Sequence, residues 1–219
     1  MKKITFLGLL VFWSGMSNAG IISYTDLGAF NANSTTSVTT FDPAPFTFTD
    51  VGVVDGNTYD DPTSTSTSSM IVCGPNAGLS CAGAPFDSNV VSNNFGQGYL
   101  SIGFASGTTA AGGIFGDLDG PAGSGTLSVF GLGDALLWSS VVNYGDMGAG
   151  QPKTFFGFTT FGGDTIARID FDIGSSFDAA DDIRFGVASN GTPVPAPASL
   201  ALLGLGLAGM CFVRRRART

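Results

Sequence analysis

The sequence predicts an all-β protein, an antiparallel β-sandwich flanked by two apolar terminal segments. Three observations carry this. Apolar and polar residues alternate with period two in several separate stretches, which is the pattern of half-buried strands. Glycine supplies 33 of 219 residues, about double its ordinary ~7% share. All 17 acidic residues are aspartates, and the chain has neither Glu nor His. Asp, Gly and Asn suit turns, whereas Glu suits helix interiors.

The elements follow in chain order. Asp26 before Leu-Gly-Ala-Phe30 predicts a short helical turn. Phe46-Thr47-Phe48-Thr49 alternates after Pro43 and Pro45 and predicts a strand. The Ser/Thr run at 63–69 predicts an exposed loop. Leu100, Ile102 and Phe104 alternate with Ser101 and Gly103, and Leu127 and Val129 alternate with Thr126, Ser128 and Phe130. Residues 109–114 are rich in Gly and Ala, and 136–142 form an apolar run around Trp138. Phe155-Phe156-Gly157-Phe158 is strand-like. Ala167, Ile169, Phe171 and Ile173 face one way, with Arg168, Asp170 and Asp172 outward. Ile183, Phe185 and Val187 repeat the pattern around Arg184. Sandwiches bury one face of each sheet, and the aromatic residues would fill much of that core.

The ends differ from the middle. Lys2 and Lys3, an apolar stretch over 4–13 and Ser17-Asn18-Ala19 form a secretory signal peptide, residues 1–19, that signal peptidase would cut before Gly20. At the other end stand Val194, Pro195, Ala196 and Pro197, an uncharged apolar run over 198–213, then Arg214, Arg215, Arg216 and Arg218. The prolines hold the backbone extended. The run as a helix spans roughly 24 Å, slightly less than a ~30 Å hydrocarbon core. The arginines would stop transfer and stay on the cytoplasmic side of the inner membrane. Residues 20–190 are then one exported domain, with a transmembrane tail over 191–219.

Within 20–190 only Lys153, Arg168 and Arg184 oppose all 17 aspartates, a formal charge of −14. Such a domain repels nucleic acid and suits divalent cations. Cys73 and Cys81 enclose a short loop and predict a local disulfide in an oxidising compartment. Two cysteines without histidine cannot complete a zinc site.

Lack of histidine excludes a Ser-His-Asp triad, and no Ser-x-x-Lys motif accompanies Lys153. Asp178, Asp181 and Asp182 cluster in what the sequence presents as a turn before a strand, and Asp117-Leu-Asp119-Gly120 is a second acidic turn. Calcium takes oxygen ligands of this kind. The same aspartates also serve as turn caps and partners of Arg168 or Arg184, and both readings stand at this point. Trp138, Tyr59, Tyr99 and Tyr144 are the residues able to stack on a sugar, with Trp138 placed in the core by its Leu136-Leu137 neighbours.

The order Pro-x-Pro, short apolar helix and terminal arginines resembles the PEP-CTERM sorting signal of Gram-negative bacteria, with Pro195-Ala196-Pro197 in place of the usual Pro-Glu-Pro. The resemblance implies processing by exosortase near that motif, after transient anchoring in the membrane, and delivery to the cell surface or beyond. The cadence Phe155-Phe156-Gly157-Phe158, Ile166-x-x-Ile169-x-Phe171 and Asp181-Asp182-Ile183-x-Phe185-Gly186 resembles the last strands of the jelly-roll domains that often precede this tail. Together these imply a non-enzymatic surface or matrix protein associated with exopolysaccharide or biofilm. A carbohydrate-binding module is the alternative, and a glycan hydrolase the one after it.

Overall fold

The computed structural model describes residues 20–42, 52–63, 70–75, 87–93, 98–118, 120–174 and 177–189. The signal segment, the strand expected at 46–49, the loop over 64–69, Cys81, Asp119 and the whole sorting tail lie outside the described residues. Among the described residues no helix is long and apolar enough to cross a membrane.

The described chain is mostly strand. It opens with β1 (Gly20–Tyr24), α1 (Leu27–Ala32) and β2 (Ser34–Thr39). The expected turn of helix is α1, capped by Asp26, whose side chain accepts from Ala29 N at 2.7 Å. Then come β3 (Val53–Val54), β4 (Asn57–Asp60), β5 (Met70–Cys73), β6 (Val90–Asn93) and β7 (Leu100–Gly103). The longer strands follow: β8 (Ala110–Asp117), β9 (Gly123–Phe130), β10 (Leu136–Asp146) and β11 (Thr154–Phe161). β12 (Arg168–Asp172) and β13 (Asp178–Ala188) close the described region.

One layer holds β1, β11, β8, β13, β2, β6 and β5; the other runs β3, β4, β7, β12, β9, β10. The last three strands alternate between layers, as the jelly-roll cadence implies. The two layers are not separate, however. The end of β10 pairs with β8 in parallel through Gly145↔Gly116 and Asp146↔Asp117, which makes one curled, mixed sheet, a half-barrel. Among the described strand pairings the antiparallel expectation fails at this seam alone, because β10 outruns β9 and reaches the neighbouring layer.

The main core lies between the layers. Phe115, Phe158, Leu127, Val129, Ile169, Phe171 and Ile183 are fully buried there. Phe171 lies 5.4 Å from Phe115 and 5.7 Å from Tyr144, ring centre to ring centre. The predicted inward residues of β12 are thus in place, but Asp170 on its other face is buried too, under Ser101. The Gly/Ala stretch is β8, a central strand. A Cβ on Gly112 would lie 2.5 Å from Phe156 O, so small residues are what let β11 and β13 close on both of its edges.

Candidate functional site

Asp178 and Asp181 do not form a turn. Both lie inside β13, at 0% and 3% exposure, and Asp182 marks a bulge with φ 49°. Their spacing puts Asp178 and Asp181 on opposite faces of the strand. Asp178 faces the main core with Ala180, and Asp181 faces the small outer cluster with Ala179. The three aspartates singled out in the sequence are therefore not one ligand set. Among the described residues no three Asp or Cys side chains stand together in metal-holding geometry.

Each buried carboxylate has its own surroundings. Asp178 accepts from Asn93 Nδ2 at 3.0 Å and from Ile173 N at 2.8 Å. Burial pushes its pKa up to about 8; the Ile173 N–H opposes the rise, and Asp172, Asp117 and Asp61 add to it. Asp117 lies directly across from Asp178 on β8 and accepts from Gly120 N at 3.1 Å. On the opposite face Asp181 accepts from Ser88 Oγ at 2.5 Å and from Asp182 N at 2.7 Å. Burial raises the Asp181 carboxyl, and these two donors pull it back.

The structure also brings together a pair that sequence spacing misses. Lys153, just before β11, reaches Ser88 Oγ at 3.4 Å. Ser88 and Lys153 lie far apart in the chain, and no local motif announces them. The hydroxyl proton is directed at Asp181 while the ammonium donates to the same oxygen. A lysine acting as base would have to accept that proton instead, so Ser88 serves as a hydrogen-bond bridge between Lys153 and Asp181.

The aromatic residues considered for sugar stacking are largely inside. Tyr59 and Tyr144 are core residues, and burial pushes the Tyr59 hydroxyl up to about 12. Trp138 packs on Phe158 with ring centres 4.9 Å apart, in line with its expected core role. Tyr99 is half-buried. Cys73 is buried at the end of β5 and disulfide-bonded.

Beyond Ser189 the chain carries the sequence of prolines, apolar run and arginines described above. Residues 193–217 match the family model of the PEP-CTERM protein-sorting motif. The chain carries a PEP-CTERM sorting signal. This motif implies an exported protein of a Gram-negative bacterium, anchored transiently through its C-terminal tail and processed by exosortase. No curated protein and no solved structure matches the chain. Val194, Pro195, Ala196, Pro197 and the four arginines fall within or beside the PEP-CTERM match, with Arg218 one residue past its end.

Proposed function

We propose that this PEP-CTERM protein is a non-enzymatic component of the cell surface or extracellular matrix, associated with exopolysaccharide. The observation that carries the proposal is the sorting motif at 193–217. Signal peptidase removes residues 1–19, and the domain over 20–190 is the exported cargo. Gly20, the first residue expected to remain after cleavage, pairs with Phe161 in β1. The Phe161 ring occupies the space a Cβ on Gly20 would need, with its nearest atom at 1.9 Å. The apolar run over 198–213 holds the precursor in the inner membrane, and the arginines keep its end in the cytoplasm. The disulfide of Cys73 is made with Cys81, which staples the loop after β5 in the oxidising compartment.

The formal charge of −14 over 20–190 disfavours direct contact with anionic polymers. Exopolysaccharide association therefore rests on neutral glycans or on cation bridging. The carbohydrate-binding alternative draws little support from aromatic residues that are mostly core, and the hydrolase alternative draws little from carboxylates facing opposite sides of β13.

The test is intact-mass analysis and fractionation in an exosortase-positive host. The mature protein is expected to begin at Gly20, lack the arginine cluster and occur in the surface or matrix fraction. Recovery of the full C-terminal tail in that host would overturn processing. A correctly processed protein found only free in the periplasm would overturn the matrix role.

A further inference from the structure

β10 is an edge strand for most of its length. Residues 136–144 pair with β9 on one side, and among the described strands only Gly145 and Asp146 meet a partner, β8, on the other. An antiparallel strand turns the N–H and C=O of alternate residues to each of its sides, so one whole side of 136–144 offers hydrogen-bonding groups to solvent. The side chains are bare as well. Exposure alternates along a strand that covers a core, yet Ser139, Ser140 and Val141 are exposed in succession. Leu136 and Val141 are 60% and 70% exposed. The middle of β10 therefore stands clear of the body on both faces.

The other edges are better protected. β3 has two residues, β1 five and β2 six, and β5 is buried throughout. Open edges are ordinarily blunted by shortness, by charge or by proline. β10 has none of these: from Ala135 to Gly145 there is no charged residue and no proline. In a domain of formal charge −14 over 20–190, this is a long edge that two copies can bring together without opposing carboxylates along its length. Of the two aspartates that bracket it, Asp134 is paired with Arg168, and Asp146 lies where β8 already closes the edge.

We propose that two copies of this chain pair through β10, edge to edge and antiparallel, about a two-fold axis near Ser139 and Ser140. An antiparallel ladder between identical strands is self-complementary, since each copy supplies the acceptors for the other's donors. The residues at the axis suit this, because each serine meets a serine of the partner copy, and hydroxyl pairs across strands are favourable where like charges are not. Ser139 already makes such a pair within the chain, with Ser128 on β9 at 2.9 Å. The six-stranded layer that ends in β10 would then continue into its copy as one sheet. This inference goes beyond the sorting reading and does not depend on it.

The test is sedimentation of the purified exported protein over a range of concentration and sodium chloride. The expected result is a species of twice the monomer mass that grows with concentration. Added salt is expected to strengthen it, because screening weakens the repulsion between two acidic copies. Amide hydrogen exchange within 136–144 is expected to slow as the dimer forms. Ser140→Lys and Val141→Lys, made separately, are each expected to return the protein to monomer, although each lowers the net negative charge. Val187→Lys, the same change of charge at an exposed valine of β13, is expected to keep the dimer. Should one β10 variant fail to fold, the other and the wild-type exchange pattern still decide. A monomer at every concentration and salt level, a dimer that survives both β10 lysines or is dispersed by salt, or protection confined to residues outside 136–144 would overturn the proposal. So would protection of 136–144 by a different protein with no dimer of this chain.

Discussion

Arg168 stands on the outer face of β12 between two carboxylates. Its Nη1 bonds Asp134 at 2.6 Å, its Nε bonds Asp170 at 2.9 Å, and the guanidinium lies 4.3 Å from the centre of the Phe130 ring. Alternation alone makes it a tolerant surface residue; the structure makes it the counter-charge of a buried aspartate. Ile169→Asp is expected to abolish the fold, because it puts an unpaired charge in the core. Arg168→Ala is expected to cost about 1–3 kcal/mol, the penalty for stripping a buried acceptor of its charged donor. Chemical denaturation measures both, and an Arg168→Ala protein as stable as wild type would show that Asp170 needs no cation. Asp178 gives a second prediction. An acid whose pKa is raised on folding contributes stability that is present at low pH and lost as pH rises through the folded value. With its pKa about 8, the protein should lose stability steadily from pH ~4 to ~8. Asp178→Asn mimics the neutral acid and should flatten that slope, gaining about a few kcal/mol at the alkaline end. Chemical denaturation across that range reads the difference, and parallel slopes would refute it.

β8 decides the packing of its layer. It pairs with β11 on one edge and β13 on the other, and its Gly112 lies opposite Gly157. A Cβ on Gly112 would meet backbone atoms at 2.5 and 2.7 Å, which cannot swing aside. Gly112→Val is expected to destabilise the protein by at least ~3 kcal/mol, the upper range for overpacking. Gly52→Ala, with nothing within 4 Å of its Cβ, should be nearly neutral, so melting temperatures of the pair separate packing from backbone effects. β10 shows a different economy. Its pairing with β9 shifts register between Leu136 and Trp138. Past that bulge Trp138 packs on Phe158, while Leu136 and Val141 are exposed.

The whole chain joins a strongly acidic β domain to a basic tail. The formal charge is −8 for the full sequence and −14 for 20–190, so removal of both ends, as proposed above, would leave the domain more acidic. A net charge of that size favours solubility and lowers stability by self-repulsion. At this scale the expected outcome concerns sorting. Replacing Pro195 and Pro197 together by Ala should remove the restraint that keeps the motif extended and leave the protein in the membrane fraction of an exosortase-positive host. Normal release of that variant, followed by immunoblotting of membrane and medium, would show that the extended prolines are dispensable.

Features set by local chemistry were legible in the sequence. The PEP-CTERM tail is a linear order of prolines, apolar residues and arginines, and such an order needs no fold to be read. The α1 cap and the inward rows of β7, β9 and β12 were legible because capping and period-two alternation act within a few residues. Other features depend on residues far apart in the chain. The Gly/Ala stretch of β8 carries no alternation, since a central strand gripped from both edges selects size over polarity. The β10–β8 seam arises from where two strand ends happen to meet. Asp170 looks exposed until Ser101 covers it, and Ser88 meets Lys153 only through the packing of distant loops. Asp178, Asp181 and Asp182 are neighbours in sequence, yet the pleat of β13 sends Asp178 and Asp181 to opposite faces. Asp178 finds its companions in Asp117, Asn93 and Asp61 instead, because strand pairing, which acts across the chain and not along it, chooses which carboxylates share the interior.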